Sequence, residues 1–267
     1  MKFQIDHDLH IHSHLSLCSG APEQSNERIL AYAKENGFHT VCLTNHFWDE
    51  RIPVEAGFYK QQDFPHIAQA RPLPQAEGIR FLFGCEGEMN TEMTIGISKE
   101  RWDEFDFIIV PTTHLHMDIA LDAEKDGSIE RRAQLWVKRL DALLDSGLPF
   151  YKLGVAHLTT RLIDATVSGN HIKVLNKIPD AELFRLFEKA AQRGCGIELN
   201  AEDMKFTSEA EDAVLRIYRV AKECGCKFYC GSDAHRPAGL DEAKALFEKA
   251  VTLLALSEDD KFYPNGK

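Results

Sequence analysis

Short runs rich in β-branched and aromatic residues, each followed by a segment whose apolar residues recur with helical spacing, alternate from one end of this chain to the other. Nothing else in the sequence narrows the possible folds as much, because regular alternation of strand and helix is the pattern of βα units carrying a parallel sheet. The strand candidates are Phe3–His12, Thr40–His46, Ile79–Met89, Asp106–His114, Lys152–Leu158, Gly196–Asn200 and Lys227–His235, seven in all. Helices are expected over Asn26–Asn36, Ser128–Asp145, Asp180–Arg193, Ser208–Cys224 and Asp241–Leu253, each with a glycine stop or a nearby glycine start such as Gly37, Gly194 or Gly239. Between the second and third strands, Pro53, Gly57, Pro65, Pro72, Pro74 and Gly78 predict a long loop with little regular structure, of the kind used as a lid or substrate wall. The segment after Ser257 reads as a surface end.

The 267 residues suit one α/β barrel domain, and 44% apolar with 27% charged residues is ordinary globular composition. No apolar run approaches the roughly 18 to 20 residues of a bilayer span. The opening MKFQIDHDLH lacks the features of a signal peptide, so a cytoplasmic protein is expected. A formal charge of −11 argues against a broad nucleic-acid surface, which needs a basic footprint, but leaves room for a local basic pocket. The seven cysteines are scattered, without paired CxxC spacing, and read as reduced thiols.

The polar residues carry the functional signal. Six of the seven strands end in, or run into, a side chain that can bind a metal: His10 and His12, His46, Glu86, His114, His157, and finally Asp233 with His235. In a parallel barrel the C-terminal strand ends open on one face, so these residues would converge. Each has a plainer reading. The HxH pair could be structural, His46 could cap a loop, and Glu86 could pair with an arginine, since a buried carboxylate needs a partner. Their coincidence at successive strand ends favours a metal centre, and imidazole with carboxylate suits Zn, Fe or Mn. One zinc ion takes about four ligands, so the surplus implies two or three ions, with Glu86 bridging.

The motifs DLHIHSH, TNH (44–46), GCE (84–86), FIIVPTTH (107–114), AHL (156–158), IELN (197–200) and GSDAH (231–235) resemble those of the PHP (polymerase and histidinol phosphatase) family, over residues 6 to 237. The resemblance implies a distorted seven-stranded (β/α) barrel, similar to a TIM barrel, with up to three divalent ions at its C-terminal mouth. It assigns His10, His12, Glu86 and Asp233 to the first ion, Glu86, His114 and His157 to the second, and His46 and His235 to part of the third. Two positions depart from the family pattern. Cys18 stands where a His or Asp is usual, and is either a third-ion ligand or a packed thiol, with His14 nearby as an assistant. Asn45 stands where Asp is common before the second-motif histidine, which affects a supporting hydrogen bond more than the ligation.

A cluster of this kind supports phosphoester hydrolysis by a hydroxide bridging two ions, tuned by Glu86, with Asp233 or His235 moving protons toward the leaving oxygen. Arg161 and Arg236 lie beside motif residues and are candidate phosphate clamps, a guanidinium fork matching phosphate oxygens in pairs. The chain resembles the stand-alone histidinol-phosphatase-like branch, which makes a small phosphate monoester, L-histidinol phosphate among them, the expected substrate. A nucleotide or 5′-end phosphoesterase, and a metal-binding regulatory module whose chemistry has lapsed, are the alternatives. Phe58, Tyr59 and Phe64 are candidate substrate-wall residues, Glu88 and His116 are the nearest competitors for the metal, and Asn200 is placed to orient substrate or a ligand.

Overall fold

A computed structural model describes residues 1–54 and 57–264. Its strands are β1 (His7–Ile11), β2 (Thr40–Leu43), β3 (His46–Phe47), β4 (Arg80–Gly87), β5 (Phe107–Pro111), β6 (Leu153–Ala156), β7 (Gly196–Asn200) and β8 (Lys227–Gly231). All pairings are parallel, in the order β1-β2-β4-β5-β6-β7-β8, with β3 added to β4. This is the expected seven-stranded barrel, nearly closed. The expected strand Thr40–His46 is broken because Thr44 stays bonded to β1, through its N–H to the Ile11 carbonyl at 2.8 Å. The Asn45 carbonyl instead accepts the Glu86 N–H at 3.0 Å, turning the chain toward β4.

Closure between β8 and β1 uses side chains where carbonyls would serve in a regular ladder. His7 Nε2 accepts the Cys230 N–H at 3.0 Å and Asp8 Oδ1 accepts the Ser232 N–H at 3.0 Å. Just beyond, the Asp233 N–H reaches the His10 carbonyl at 2.8 Å and the His12 N–H reaches the Ala234 carbonyl at 3.1 Å.

Helices α1 (Asn26–Asn36), α2 (Ile129–Asp145), α3 (Asn170–Lys177), α4 (Asp180–Arg193), α5 (Glu211–Glu223) and α6 (Pro237–Leu253) carry the outer layer. Ser25 caps α1 through the Arg28 N–H and Gly37 ends it in the left-handed region; Ser128 caps α2 through the Arg131 N–H. The apolar stripe of α2, with Trp136, Leu140, Leu143 and Leu144, is fully buried, and truncating one of these leucines to alanine would cost about 2–5 kcal/mol. Helix α6 starts a turn earlier than expected, with Pro237 in its first turn, so Gly239 lies inside the helix rather than marking its start.

A second apolar cluster, Leu9, Cys42, Leu82, Phe107, Ile109, Ala156 and Tyr229 with Phe262, draws on six of the strands and fills the barrel. Gly154 makes room for it, since a Cβ there would lie 2.4 Å from the Tyr229 ring. Phe262 corrects the expectation of a surface end: its N–H bonds the Phe228 carbonyl at 2.7 Å, and both Lys261 and Phe262 are buried. Residues 265–267 of that segment lie outside the described residues, as do residues 55 and 56 of the long loop. The rest of that loop holds only short turns, Phe58–Gln61, Phe64–Ile67 and Ala68–Ala70. Among the described residues no helix is long and apolar enough to cross a membrane.

Candidate metal centre

Glu86 is the next-to-last residue of β4, with 1% of its surface exposed, and β3 sets His46 directly beside it in register. Five imidazoles surround its carboxylate: His46 Nδ1 at 2.8 Å, and the Nε2 atoms of His157 at 3.2 Å, His12 at 3.4 Å, His10 at 3.6 Å and His114 at 3.9 Å. Asp233 Oδ1 lies 3.2 Å from His12 Nε2 and 3.4 Å from His10 Nε2. The His235 ring stacks on His12 with centroids 4.0 Å apart. The eight histidine and acidic residues singled out in the sequence are thus gathered at one mouth of the barrel.

The hydrogen bonds behind the rings show how the sequence aims them. His10 Nδ1 donates to Glu198 Oε1 at 2.7 Å and His114 Nδ1 to Glu88 Oε2 at 2.7 Å, carboxylates being acceptors only. His12 Nδ1 donates to Ser16 Oγ at 2.8 Å, because that hydroxyl is donated to Asn45 Oδ1 at 2.9 Å. His157 Nδ1 donates to Thr113 Oγ1 at 2.9 Å, whose proton goes to the His157 carbonyl, and His235 Nδ1 donates to the Asp233 carbonyl at 2.8 Å. Five rings therefore share one tautomer and leave Nε2 as a lone pair. His10 Nε2 and His12 Nε2 face each other at 3.0 Å, an arrangement that two lone pairs tolerate only with a cation or proton between them. His46 Nδ1 and Glu86 Oε2, both buried, make no hydrogen bond despite their proximity. Buried polar atoms without partners are costly, and a cation would satisfy them.

Electrostatics point the same way. Burial alone would lower the His10 pKa, but Glu198, Asp233 and Glu86 outweigh it and hold the ring well above its ordinary range. His12 is raised by Asp233 and Glu86 against burial, and His157 by Glu86 and Asp233 to about 9. Glu86 and Asp233, despite burial, are pulled below the usual carboxylate range by the imidazoles. His46 and His235 go the other way through burial, His235 to about 3 with His12 adding to the effect. The cluster draws in positive charge.

Three overlapping sets have donor atoms close enough to share an ion: His10, His12 and Glu86; Glu86, His114 and His157; and His12, His46 and His235. In the third set His12 joins His46 and His235. Cys18 is an exposed residue on the cavity rim and its sulfur belongs to none of these sets; partial burial, then Glu86 and Asp233, push its thiol up to about 12. His14 is also exposed and outside them. Asn45 acts behind His12, as the Ser16 bond shows. The strand-end residues His157 and Asp233 have φ of +28° and +54°, strained values that their backbone bonds to Glu198 Oε2 (2.6 Å) and to the His10 carbonyl hold in place.

Two cavities meet here, sharing Leu162, Asp233 and His235. One, of about 590 Å³, is walled by Phe58, Tyr59, Met117 and Ile119, with Cys18 and His116 at its edge. The other, of about 730 Å³, holds Arg161 and Arg236, both exposed and with side chains that make no hydrogen bond or ion pair among the described residues. Phe64 is not a wall residue. It packs on Phe105 and under the Arg101 guanidinium. Asn200 lines neither cavity; it caps the following turn through Glu202 and Asp203 and donates to Glu198 Oε2 at 3.2 Å.

Glu198 is the residue that sequence reasoning missed. It lies in the middle of β7, fully buried, between Ile197 and Leu199, and the signal was a carboxylate within an apolar strand, the same signal that marked Glu86. Its reach depends on Gly231 of the neighbouring strand, where a Cβ would lie 1.9 Å from Glu198 Oε1.

No curated protein matches the chain. Among solved structures it is similar to the histidinol phosphate phosphatase HisK of Lactococcus lactis subsp. lactis, determined with Zn, L-histidinol and phosphate: TM-score 0.59 and 18% identity over 92% of this chain and 93% of that one. It is also similar to a candidate histidinol phosphatase, HisK, of Listeria monocytogenes, with TM-score 0.65 and 13% identity over 90% of this chain and 99% of that one. At such identities these two likenesses concern the fold. The PHP domain model matches residues 8–202, well over half the chain and the greater part of the centre just described, and the chain belongs to the PHP domain family.

Proposed function

We propose that this protein is a metal-dependent phosphoesterase that hydrolyses a small phosphate monoester. The observation that carries the reading is Glu86, buried among five imidazoles whose free nitrogens converge at the barrel mouth. Two or three divalent ions, Zn, Mn or Fe, would be held by His10, His12, Glu86 and Asp233, by Glu86, His114 and His157, and by His12, His46 and His235, with Cys18 as a candidate addition. Such ions polarise phosphoryl oxygens and bring the pKa of a water to near neutrality.

The chain's own residues do the rest. Arg161 and Arg236 clamp the phosphoryl oxygens in the second cavity, where Glu202 and Glu242 pair with Lys205 and Asp203 bonds Thr159 and Tyr218, leaving both guanidinium groups unpaired. Asp233 or His235, both lining the two cavities, would move a proton toward the leaving oxygen. Phe58, Tyr59, Met117 and Ile119 exclude water around the leaving group, in a volume of the size that small-molecule sites occupy. L-histidinol phosphate is the first substrate to try, since its dephosphorylated product and phosphate are what the Lactococcus lactis structure holds. The test is turnover of p-nitrophenyl phosphate, histidinol phosphate, nucleotides and short DNA by protein loaded with Mn or Zn, beside Glu86→Ala and Asp233→Ala. Release of phosphate from a small monoester, lost in both variants, supports the reading. Pure, metal-loaded protein inert on every ester, or active only on DNA, overturns it.

A further inference from the structure

Glu88 stands two residues beyond Glu86, fully buried, and could pass for another ligand. Its hydrogen bonds exclude that. Oε2 accepts His114 Nδ1–H at 2.7 Å and the Tyr59 hydroxyl at 3.0 Å; Oε1 accepts the Met89 N–H at 2.7 Å and Arg139 Nη2–H at 3.3 Å. Four donors fill the four lone-pair positions of one carboxylate, leaving none for an ion.

Arg139 explains how the charge can sit there. It projects from the apolar stripe of α2, is fully buried, and lines neither of the two cavities at the centre. Beyond Glu88 it donates to the carbonyls of Met89 (2.8 Å), Asn90 (3.2 Å), Thr112 (2.8 Å) and Ala120 (3.3 Å). It thereby ties the chain just past Glu86, after β4, to the chain after β5 that carries His114. A buried carboxylate with an arginine on one oxygen and three further donors is a satisfied pair, whereas either member alone would be an uncompensated charge.

We propose that Glu88 is a positioning residue: it holds His114 as the Nδ1–H tautomer, so that the Nε2 lone pair faces Glu86 and His157, and Arg139 is the counter-charge that makes this possible. The metal-binding consequence rests on the phosphoesterase reading; the tautomer does not. Only glutamate fits. Glutamine, in either orientation, sets its NH₂ against two donors, and aspartate falls short by a methylene.

The experiment follows the His114 ring by ¹H–¹⁵N NMR, in wild-type protein and in Glu88→Gln, and measures Zn affinity and stoichiometry by competition with a chromophoric chelator. The wild-type ring should carry its proton on Nδ1. Glu88→Gln should show a mixed or reversed tautomer and bind the ion at Glu86, His114 and His157 about 10–100-fold more weakly, while the His10 and His12 set keeps its ion. Tyr59→Phe removes one of the four donors but keeps the carboxylate, and should leave the tautomer unchanged. A folded Glu88→Gln protein with the wild-type tautomer and affinity, altered only in thermal stability, overturns the proposal. If Glu88→Gln does not fold, the wild-type and Tyr59→Phe spectra decide, and an Nε2–H tautomer in the wild type sinks it. Failure of the wild type to bind Zn would count against the phosphoesterase reading, with the tautomer still judging Glu88.

Discussion

The same strand, β1, carries histidines to both mouths of the barrel, and the two kinds differ in one hydrogen bond. At the lower mouth, His7 Nδ1 donates to Asp6 Oδ1 at 2.9 Å and its Nε2 accepts the Cys230 N–H at 3.0 Å, so both nitrogens are spent, the second on holding β1 to β8. At the upper mouth, His10 and His12 also donate from Nδ1, but each Nε2 is left facing the other ring, Glu86 and Asp233. All three residues are buried, and all three are histidines within an HxxHxH run. What separates a structural imidazole from a candidate ligand is whether the second nitrogen already has a donor. Burial and residue type do not distinguish them.

The sharpest way to break this comparison is to remove one histidine of each kind. His10→Ala should abolish phosphatase turnover, by more than about 100-fold, since even the residues behind metal ligands are worth about 10–100-fold. His7→Gln should leave turnover and metal content intact. It disturbs the acceptor for one buried N–H, costing about 1–3 kcal/mol, read as a lowered denaturant midpoint. Equal loss of activity in both variants would mean that the two mouths do not differ as described.

A smaller effect sharpens the same contrast through glycines. In Gly231→Ala the new methyl would occupy the space of Glu198 Oε1, pushing the carboxylate away from His10 Nδ1. Metal affinity should fall about 10–100-fold with no ligand replaced, His10 being pressed as well because its Cβ would lie 2.7 Å from the methyl. Gly154→Ala meets the Tyr229 ring in the barrel filling instead. That overpacking should cost about 1–3 kcal/mol of stability without changing affinity. Calorimetric titration with Zn, beside a denaturation curve for each variant, separates the two outcomes.

How far the centre was legible in the sequence follows from the same physics. A His or Asp at the end of an apolar run stands out because burying it needs a reason, and parallel strands bring such ends together whatever lies between them. Glu198 carried the same mark as Glu86, but its use depends on a glycine in the next strand, a pairing that one-dimensional spacing does not reveal. Arg139 lies three residues after Trp136 and one before Leu140, on a stripe counted as apolar, and only the carboxylate opposite explains it. Helix α3 was missed because its eight residues, beginning after Gly169, are too few for periodicity to register. The segment around Phe262 was read as a surface end because its composition is polar, although its one large apolar ring plugs the barrel.

The smallest effect separates the two mouths by pH. In the metal-free protein the His157 pKa is raised from an ordinary 6.5 to about 9, with Glu86 and Asp233 overcoming the opposing effect of burial. A raised folded-state pKa contributes stability that is fully present below pH 6.5 and is lost as pH rises through 9. With ions bound, His157 is an unprotonated ligand and has no such contribution to lose. The difference in melting temperature between metal-loaded and metal-free protein should therefore widen by a few degrees between pH 6.5 and 9. His7 has the opposite sign: burial lowers its pKa, so its contribution is present above 6.5 and declines as pH falls. It titrates alike in both forms and cancels from the difference, so His7→Gln should leave the widening unchanged while His157→Gln reduces it, His10 and His12 supplying the remainder. A gap that stays constant from pH 6.5 to 9 in the wild type would show that the upper imidazoles do not exchange protons for metal.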